Sequence, residues 1–357
     1  MTGRTRIPAL VVGVLALGTL PAGCESEGQS PVTGGRQVEP LVDAGPMSVR
    51  IHEVWRRELD EEVDARGGMA VWEDGTIWIG STERIWEMSP QGESLRAVPE
   101  PAAATGRGYA LALLAMPDRR SVVLVSRSGT TLFPRKDGTT GLYSAMYRNS
   151  VPGIAALQND QYVLSYGQYP DDSHVAFALH LYSLDGHLKS WHPAFPADDW
   201  EVVTQMTGGP ITATPEGDLL LAEKAPPFRI VRYPGGRGDS AMVVVEDETI
   251  VPRDELERAL PNGNIGVQWN RPVFIDQMGD GNILTVIRYH QPRRRSRQGL
   301  WVVVSPRGDV LAKTRFSDYY EFVTPTGADG RYLAWIDDAI VSLDVTVEAL
   351  HDETPAG

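Results

Sequence analysis

Short apolar runs of four to six residues, separated by turn signals, are the main pattern along this chain. The pattern is clearest over residues 68–98, where three such runs follow one another. Asp74-Gly75 suits a tight hairpin because glycine reaches positive φ without steric cost, and Pro90-Gln-Gly92 supplies a second turn. The segment therefore predicts four antiparallel strands, the last over Glu93–Val98. A sheet this small cannot bury both faces alone, so it needs copies of itself beside it.

Similar units recur every 40 to 60 residues, each with two turn signals. The six units cover approximately residues 68–98, 109–147, 153–186, 211–245, 273–313 and 320–343. The apolar runs are too short for helices, which need ten or more residues. The predicted fold is all-β, a six-bladed β-propeller of four-stranded antiparallel blades over residues 47–350.

The sixth unit lacks a clear fourth strand after Leu343. The segment Val49–Trp55 alternates weakly and stands outside the repeat, so we expect this N-terminal strand to pair with the last unit and close the ring. Val345–Glu348 is the rival for that outer position.

The stretch Asp74-Gly-Thr-Ile-Trp-Ile-Gly80 resembles the repeat signature of propeller modules in bacterial periplasmic sensor proteins. Together with Arg84–Met88 and Gly92, it is similar to the blades of NHL-repeat and other six-bladed propellers. The close match covers one blade, and the other units share its turn spacing. The resemblance implies a fold, because function varies widely among such propellers.

The N-terminus has the pattern of a secretory signal. Arg4 and Arg6 precede an apolar run of about 16 residues, which is shorter than the roughly 20 residues of a spanning helix. The sequence Leu20-Pro-Ala-Gly-Cys24 resembles the lipobox of bacterial lipoproteins, which implies cleavage after residue 23 and lipidation of Cys24. An ordinary signal peptide with an accidental cysteine is the alternative.

The two ends of the mature chain are predicted to be without regular structure. Residues 24–46 are rich in Gly, Pro, Ser and Glu, which predicts a flexible tether. Residues 351–357 are expected to be a disordered tail.

Composition narrows the classes of partner. Cys24 is the only cysteine, so an intrachain disulfide is excluded, and the domain must be stabilised by its core. With 33 basic and 47 acidic residues the net charge is −14, which argues against nucleic acid as a partner. We expect contact with a membrane only through the lipid anchor, a location in the cell envelope (periplasmic or on its outer face), and a monomer.

Two units carry insertions between their second and third strands, Gly167–His174 in the third and Tyr289–Gln298 in the fifth. The links to the next unit are also longest here, at 193–209 and 247–271. In an up-and-down blade these two kinds of connection emerge on the same side, so all four insertions are predicted to decorate one face around blades 3–5. Binding residues favour loops carried on a rigid sheet.

This face supplies the candidate binding residues for a protein, peptide or glycan. Its basic cluster suits a carboxylate, phosphate or acidic glycan through forked hydrogen bonds; a solvated loop that balances nearby acids is the commoner use of such a segment. A short helix is predicted at 252–260, followed by a tryptophan flanked by polar groups that suits stacking on a sugar or peptide. The candidates are Tyr169, Asp171, Asp172, His174, Trp269, Asn270, Arg288, Tyr289, His290, Arg293, Arg294, Arg295 and Arg297.

The favoured interpretation is an exported, lipid-anchored propeller that acts as a binding or interaction module and needs no cofactor. The alternative is an enzyme resembling six-bladed gluconolactonase-type hydrolases or propeller lyases. That resemblance implies a divalent cation such as Ca²⁺ near the axis, and its candidate ligands here are Glu223, Asn270, Asp276 and Glu321. No Gly-x-Ser-x-Gly elbow, His-Glu-x-x-His pair, phosphate-binding loop or Cys-x-x-Cys pair occurs in the sequence.

Overall fold

The fold is described from a computed structural model. The residues that it describes are 31–59, 63, 68–81, 84–98, 110–117, 119–126, 129–134, 140–143, 153–157, 161–168, 177–183, 186–193, 206–237, 240–252, 270–290, 297–318 and 320–350. Their secondary structure is almost entirely β, with one short 3-10 turn at Pro234–Gly236. None of the helices in this part of the chain has the length and apolar character needed to cross a bilayer. The helix predicted at 252–260 falls almost wholly outside the described residues.

The described residues form 26 strands. In chain order they are β1 (Val32–Val38), β2 (Pro40–Ala44), β3 (Met47–Glu58), β4 (Met69–Val71), β5 (Ile77–Gly80), β6 (Ile85–Met88), β7 (Leu95–Ala97), β8 (Ala110–Ala115), β9 (Ser121–Ser126), β10 (Gly129–Pro134), β11 (Thr140–Tyr143), β12 (Gly153–Leu157), β13 (Gln161–Gln168), β14 (Phe177–Ser183), β15 (Gly186–Pro193), β16 (Ile211–Ala213), β17 (Leu219–Ala222), β18 (Phe228–Tyr233), β19 (Met242–Asp247), β20 (Arg271–Gln277), β21 (Ile283–His290), β22 (Arg297–Val304), β23 (Val310–Phe316), β24 (Phe322–Pro325), β25 (Arg331–Ile336) and β26 (Ala339–Ala349).

The strands pair into six antiparallel sheets, numbered here after the six sequence units. Sheets 1 to 4 each contain four consecutive strands, β4–β7, β8–β11, β12–β15 and β16–β19. Sheet 5 has the order β20-β21-β22-β23-β2, and sheet 6 the order β24-β25-β26-β3-β1. The first strands of the sheets contact one another in the cyclic order β4, β8, β12, β16, β20, β24 and back to β4. This arrangement is a β-propeller.

Buried clusters between neighbouring sheets form the core. Phe274 and Trp301 of sheet 5 pack with Tyr332 of sheet 6 in one cluster, and five similar clusters occupy the other five interfaces between adjacent sheets. The short inner strands are therefore apolar on both faces, and β5 is buried at every position. This double burial explains why the apolar runs are continuous and do not alternate strictly.

The first unit has the predicted strands and turns. Gly75 (φ +83°) and Gly92 (φ +75°) adopt the left-handed conformation expected of them, and each donates its N–H back across its turn at 2.9 Å, to the carbonyls of Trp72 and Ser89. The four strands β4 to β7 lie within the predicted segment 68–98. The chemistry of the turns therefore predicts this unit well.

The N-terminal segment is more ordered than its composition predicts. β1 and β2 lie within residues 24–46, so the predicted flexible tether is wrong for residues 32–44. β1 adds to the free edge of β3, and β2 adds to the free edge of β23. An edge strand is held mainly by backbone hydrogen bonds, which need no apolar period in the sequence.

β3 contains the segment Val49–Trp55 and pairs along its length with β26. The rival segment Val345–Glu348 is not a separate outer strand, because it continues β26 and pairs with β3 itself. Val49 and Ile51 are fully buried between sheets 5 and 6. Both this apolar packing and the backbone hydrogen bonds to β26 therefore fix the position of β3.

Candidate functional site

The strand ends that flank the four predicted insertions all lie on one side of the propeller. The insertions connect β13 to β14, β21 to β22, β15 to β16 and β19 to β20, which are second-to-third strand connections and links between sheets. We call this side the loop face. The opposite side carries the tight hairpin turns, including those at Gly75 and Gly281, which have positive φ.

Most of the predicted binding residues lie outside the described residues. These are Tyr169, Asp171, Asp172, His174, Trp269, Arg293, Arg294 and Arg295, together with Cys24. The described candidates are Asn270, Arg288 and Tyr289, and the backbones of His290 and Arg297. His290 pairs with Arg297 in the hairpin of β21 and β22. The loop predicted for Tyr289–Gln298 is therefore shorter than expected, because the strands extend to leave only residues 291–296 between them.

The described candidates lie around the loop-face end of sheet 5. Arg288 is opposite Arg271 on the neighbouring strand β20, and the buried Asn270 directly precedes that strand. The guanidinium of Arg315, on β23, lies 4.1 Å from the centre of the Tyr289 ring, a cation–π contact. Sheet 5 thus brings several cationic side chains to one end of a chain that is acidic overall.

Lys224 of sheet 4 lies near one of these cations, Arg271. The sequence patterns did not single out Lys224. It follows β17, is only 7% exposed, and makes no hydrogen bond or ion pair through its ammonium group with the described residues. Burial, and secondarily the positive charge of Arg271, lower the pKa of Lys224 to about 7. At neutral pH this side chain therefore exists in both its charged and its neutral form.

The backbone around Lys224 explains its burial. Its N–H donates to the carbonyl of Gly208 at 2.9 Å, and the neighbouring Ala222 N–H donates to Pro210 at 3.0 Å. Gly209 packs so closely on this strand that a Cβ there would lie 1.8 Å from the carbonyl oxygen of Ala222. Gly209 also donates to Ser165 of sheet 3 at 2.9 Å. The link that enters sheet 4 thus packs over the end of β17 and buries Lys224.

Asp276 lies far from the other three residues proposed as metal ligands. Asp276 lies six residues along β20 from Asn270, which at about 3.3 Å per residue places it roughly 20 Å away. Glu223 and Glu321 stand at loop-face ends of strands, after β17 and before β24. Among the described residues no group of three or more histidine, cysteine, aspartate or glutamate side chains could hold a metal ion.

Two of these carboxylates already have structural partners. Glu223 accepts from Arg229 at 3.1 Å, and Arg229 also contacts Glu246 at 2.7 Å, so the three form a charge ladder across sheet 4. Asp276 accepts hydrogen bonds from Tyr332 and Thr212. Burial raises the pKa of Asp276 to about 6, although those hydrogen bonds favour its charged form.

Comparison with known proteins identifies the fold alone. No family model and no curated protein matches the chain. A gluconolactonase from Xanthomonas campestris is similar in structure, with a TM-score of 0.52 and 12% identity, over 89% of this chain and all of its own length. A protein of unknown function from Bacteroides thetaiotaomicron gives a TM-score of 0.50 and 10% identity, over 88% of this chain and 77% of its own. At these identities the likenesses bear on architecture, and the chain is a β-propeller.

Proposed function

We propose that the protein is an extracytoplasmic binding module that takes an acidic ligand on its loop face. The observation that carries this proposal is Lys224, a buried ammonium group without an acidic partner among the described residues, beside the cation Arg271. Burying a charge without a counter-ion is unfavourable. A carboxylate or another anion from a ligand would relieve that cost and hold the lysine in its charged form.

The proposal includes a ring of six blades, one for each sheet, closed by β3. The cyclic contacts among the six first strands support this count, and so do the six core clusters between adjacent sheets. A closed ring has no free inner edge, so it would provide a rigid support for binding loops. The working surface would extend over blades 3–5, where the four insertions lie.

The cellular address is also part of the proposal. The basic, apolar and small-residue pattern of residues 1–23 supports export, and Leu20–Cys24 supports a lipid anchor at Cys24 in the cell envelope. An acidic protein with a local group of cations is suited to an acidic peptide or glycan. The net charge of −14 disfavours nucleic acid.

A binding assay with Lys224→Met tests this function. We expect the full chain to bind immobilised polygalacturonate, a polycarboxylate, and the variant to lose roughly tenfold or more in affinity. Binding by the wild-type chain should also weaken as the pH rises through about 7, because Lys224 then loses its charge. Arg307→Gln is the matched control, since Arg307 is exposed in the β22–β23 turn on the opposite face. Equal binding by Lys224→Met and wild type would refute the proposal.

The second proposal is a metal-dependent hydrolase. The likeness of fold to a gluconolactonase supports it, together with the positions of Glu223, Asn270 and Glu321 at loop-face ends of strands. Metal analysis of the purified full chain separates the two functions. A stoichiometric divalent cation that Asn270→Ala removes would favour the enzyme, whereas metal content that is unchanged by this substitution would count against it.

A further inference from the structure

A cleft between sheets 4 and 5 shares Asn270, Tyr289 and Arg315 with the loop-face end of sheet 5 described above, and its other lining residues lie outside that surface. Its volume is about 210 Å³. One wall is sheet 5 with its added strand β2, and the other is the link that leaves β19. The polar groups that line it are Thr249, Asn270, Tyr289, Lys313 and Arg315.

Strand register places the cations of the cleft on one side of sheet 5. Arg315 pairs with Leu300 on one neighbouring strand and with Val42 on the other, while Lys313 lies two residues earlier on the same side of β23. Leu300 and Val42 both line the cleft. Arg315 therefore stands between two apolar side chains, with its guanidinium over the ring of Tyr289.

The charge of Lys313 is already matched. Its ammonium donates to Asp247 at 2.9 Å and to the hydroxyl of Thr249 at 2.7 Å, and that hydroxyl in turn donates to Asp247 at 2.6 Å. These bonds hold the pKa of Asp247 below its usual range despite its burial. The group Asp247–Thr249–Lys313 is thus a neutral, fixed part of the wall.

Arg315 is different. It forms no ion pair with any carboxylate of the described residues, and its buried Nε has no hydrogen-bond acceptor. Asp43 on the adjacent strand β2 is turned to other partners, Ser48 at 2.7 Å and Arg50 at 3.3 Å. The cleft therefore contains one net positive charge, that of Arg315. The buried Nε–H of Arg315 is a hydrogen-bond donor without an acceptor, and its planar guanidinium can donate two parallel hydrogen bonds to one partner.

We propose that this cleft is a binding site for a small monocarboxylate with an apolar body. The carboxylate would accept two parallel hydrogen bonds from Arg315, and the side chain of Asn270 lines the same cleft. The apolar body would rest against Ile250, Leu300 and Val42. A single net charge and an apolar wall favour a monocarboxylate over inorganic phosphate. This site does not depend on the function proposed for the loop face.

The test uses hexanoate, hexan-1-ol and inorganic phosphate as probes of the purified full chain, with affinities measured by ligand-observed NMR titration. We expect hexanoate to bind roughly tenfold or more tightly than either of the other probes. Arg315→Gln should remove that preference. Arg307→Gln changes an exposed arginine in the turn between β22 and β23, and it should leave the preference for hexanoate unchanged.

Arg315→Lys keeps the charge and loses the fork, so it should bind hexanoate with intermediate affinity. Circular dichroism and thermal melts confirm that each variant is folded. A second measurement on the wild-type chain needs no variant, since about 0.5 M salt should weaken binding of hexanoate and leave hexan-1-ol unaffected. The proposal is overturned if Arg315→Gln binds hexanoate as Arg307→Gln does, or if hexan-1-ol or phosphate binds as tightly as hexanoate.

Discussion

Lys224 and Asp276 are two ionisable residues whose protonation the fold shifts in ways that solution experiments can detect. Lys224 lies at the loop face, and Asp276 lies toward the other end of β20. For both residues, burial is the largest cause of the shift, and it acts against the charged form. Their effects on stability have opposite dependence on pH.

Lys224→Met should stabilise the protein at neutral and lower pH. The folded pKa of about 7 lies below the ordinary 10.5, so the unfolded chain binds more protons between these values and stability rises with pH across that window. Below pH 7 the buried charge costs roughly 5 kcal/mol, which methionine would recover. Urea denaturation at several pH values measures this. The same rise with pH in the variant would show that Lys224 is not the source.

Asp276→Asn should flatten the stability profile at acidic pH. The folded pKa of about 6 lies above the ordinary 3.8, so the folded chain binds more protons between them and stability falls as pH rises through this window. Above pH 6 the variant should be more stable by roughly 3 kcal/mol, with little difference below pH 3.8. Denaturation midpoints at pH 4 to 8 are the measurement. Asp280→Asn, at an exposed turn, is the control, and a profile for Asp276→Asn that matches it would contradict the prediction.

Residue-scale prediction from sequence succeeds where the cause is local. Asp74-Gly75 and Gly92 determine their turns with neighbouring residues alone, so the four strands of the first unit were predictable. Lys224 was missed because its burial depends on Gly208 and its charge environment on Arg271, which belongs to another sheet. The available signal was the pair of charged residues Glu223 and Lys224 that follows the apolar run Leu219–Ala222.

At the scale of elements, the link into sheet 4 depends on a close backbone approach. Gly209→Ala would place a Cβ 1.8 Å from the Ala222 carbonyl, so β17 or the link must move. We expect a loss of roughly 2–4 kcal/mol in the free energy of unfolding.

The matched control for this substitution is Gly217→Ala. Gly217 has a φ of +87° and no atom within 4 Å of an added Cβ, so its cost is conformational only, about 1 kcal/mol. Chemical denaturation of both variants separates steric from conformational cost. If Gly209→Ala cost no more than Gly217→Ala, the approach would not be as close as described.

The edge strands show why element prediction failed at the N-terminus. β1 includes Gly34 and Gly35 and has no apolar period, and its partner is the backbone of β3. Composition predicted a tether because composition reports burial of side chains, whereas these strands are added through main-chain pairing. The hairpin of β21 and β22 was underestimated for the same reason, since pairing of His290 with Arg297 extends it through polar residues.

For the whole molecule, the fold depends on contacts between its distant ends. Deleting residues 1–58 should abolish cooperative folding, because it removes β3 from sheet 6 and leaves the apolar edge of β26 uncovered. Deleting residues 351–357 is the control and should leave the melting temperature within about 2 °C. Calorimetry measures the melting temperature of both truncated chains, and light scattering measures their association state. A folded, monomeric chain without residues 1–58 would show that β3 is dispensable.

The β-propeller architecture was predictable at this scale, because turn spacing recurs along the chain. The site was less predictable, since Lys224 and Arg271 come near each other only when sheets 4 and 5 lie side by side. Strand register, which sequence alone did not reveal, also places Arg315 between Leu300 and Val42. Function in a propeller depends on such juxtapositions more than on any one motif.

The position of β1 limits how far the protein would stand from a bilayer. Only residues 25–31 separate Cys24 from β1, and at about 3.4 Å per residue they span at most roughly 24 Å. An acylated Cys24 would therefore keep the outer edge of sheet 6 near the lipid headgroups, with sheet 5 beside it. Val32 pairs with Arg56 near the loop-face end of β3, so the part of the propeller held closest to the membrane would be the loop-face corner of sheet 6.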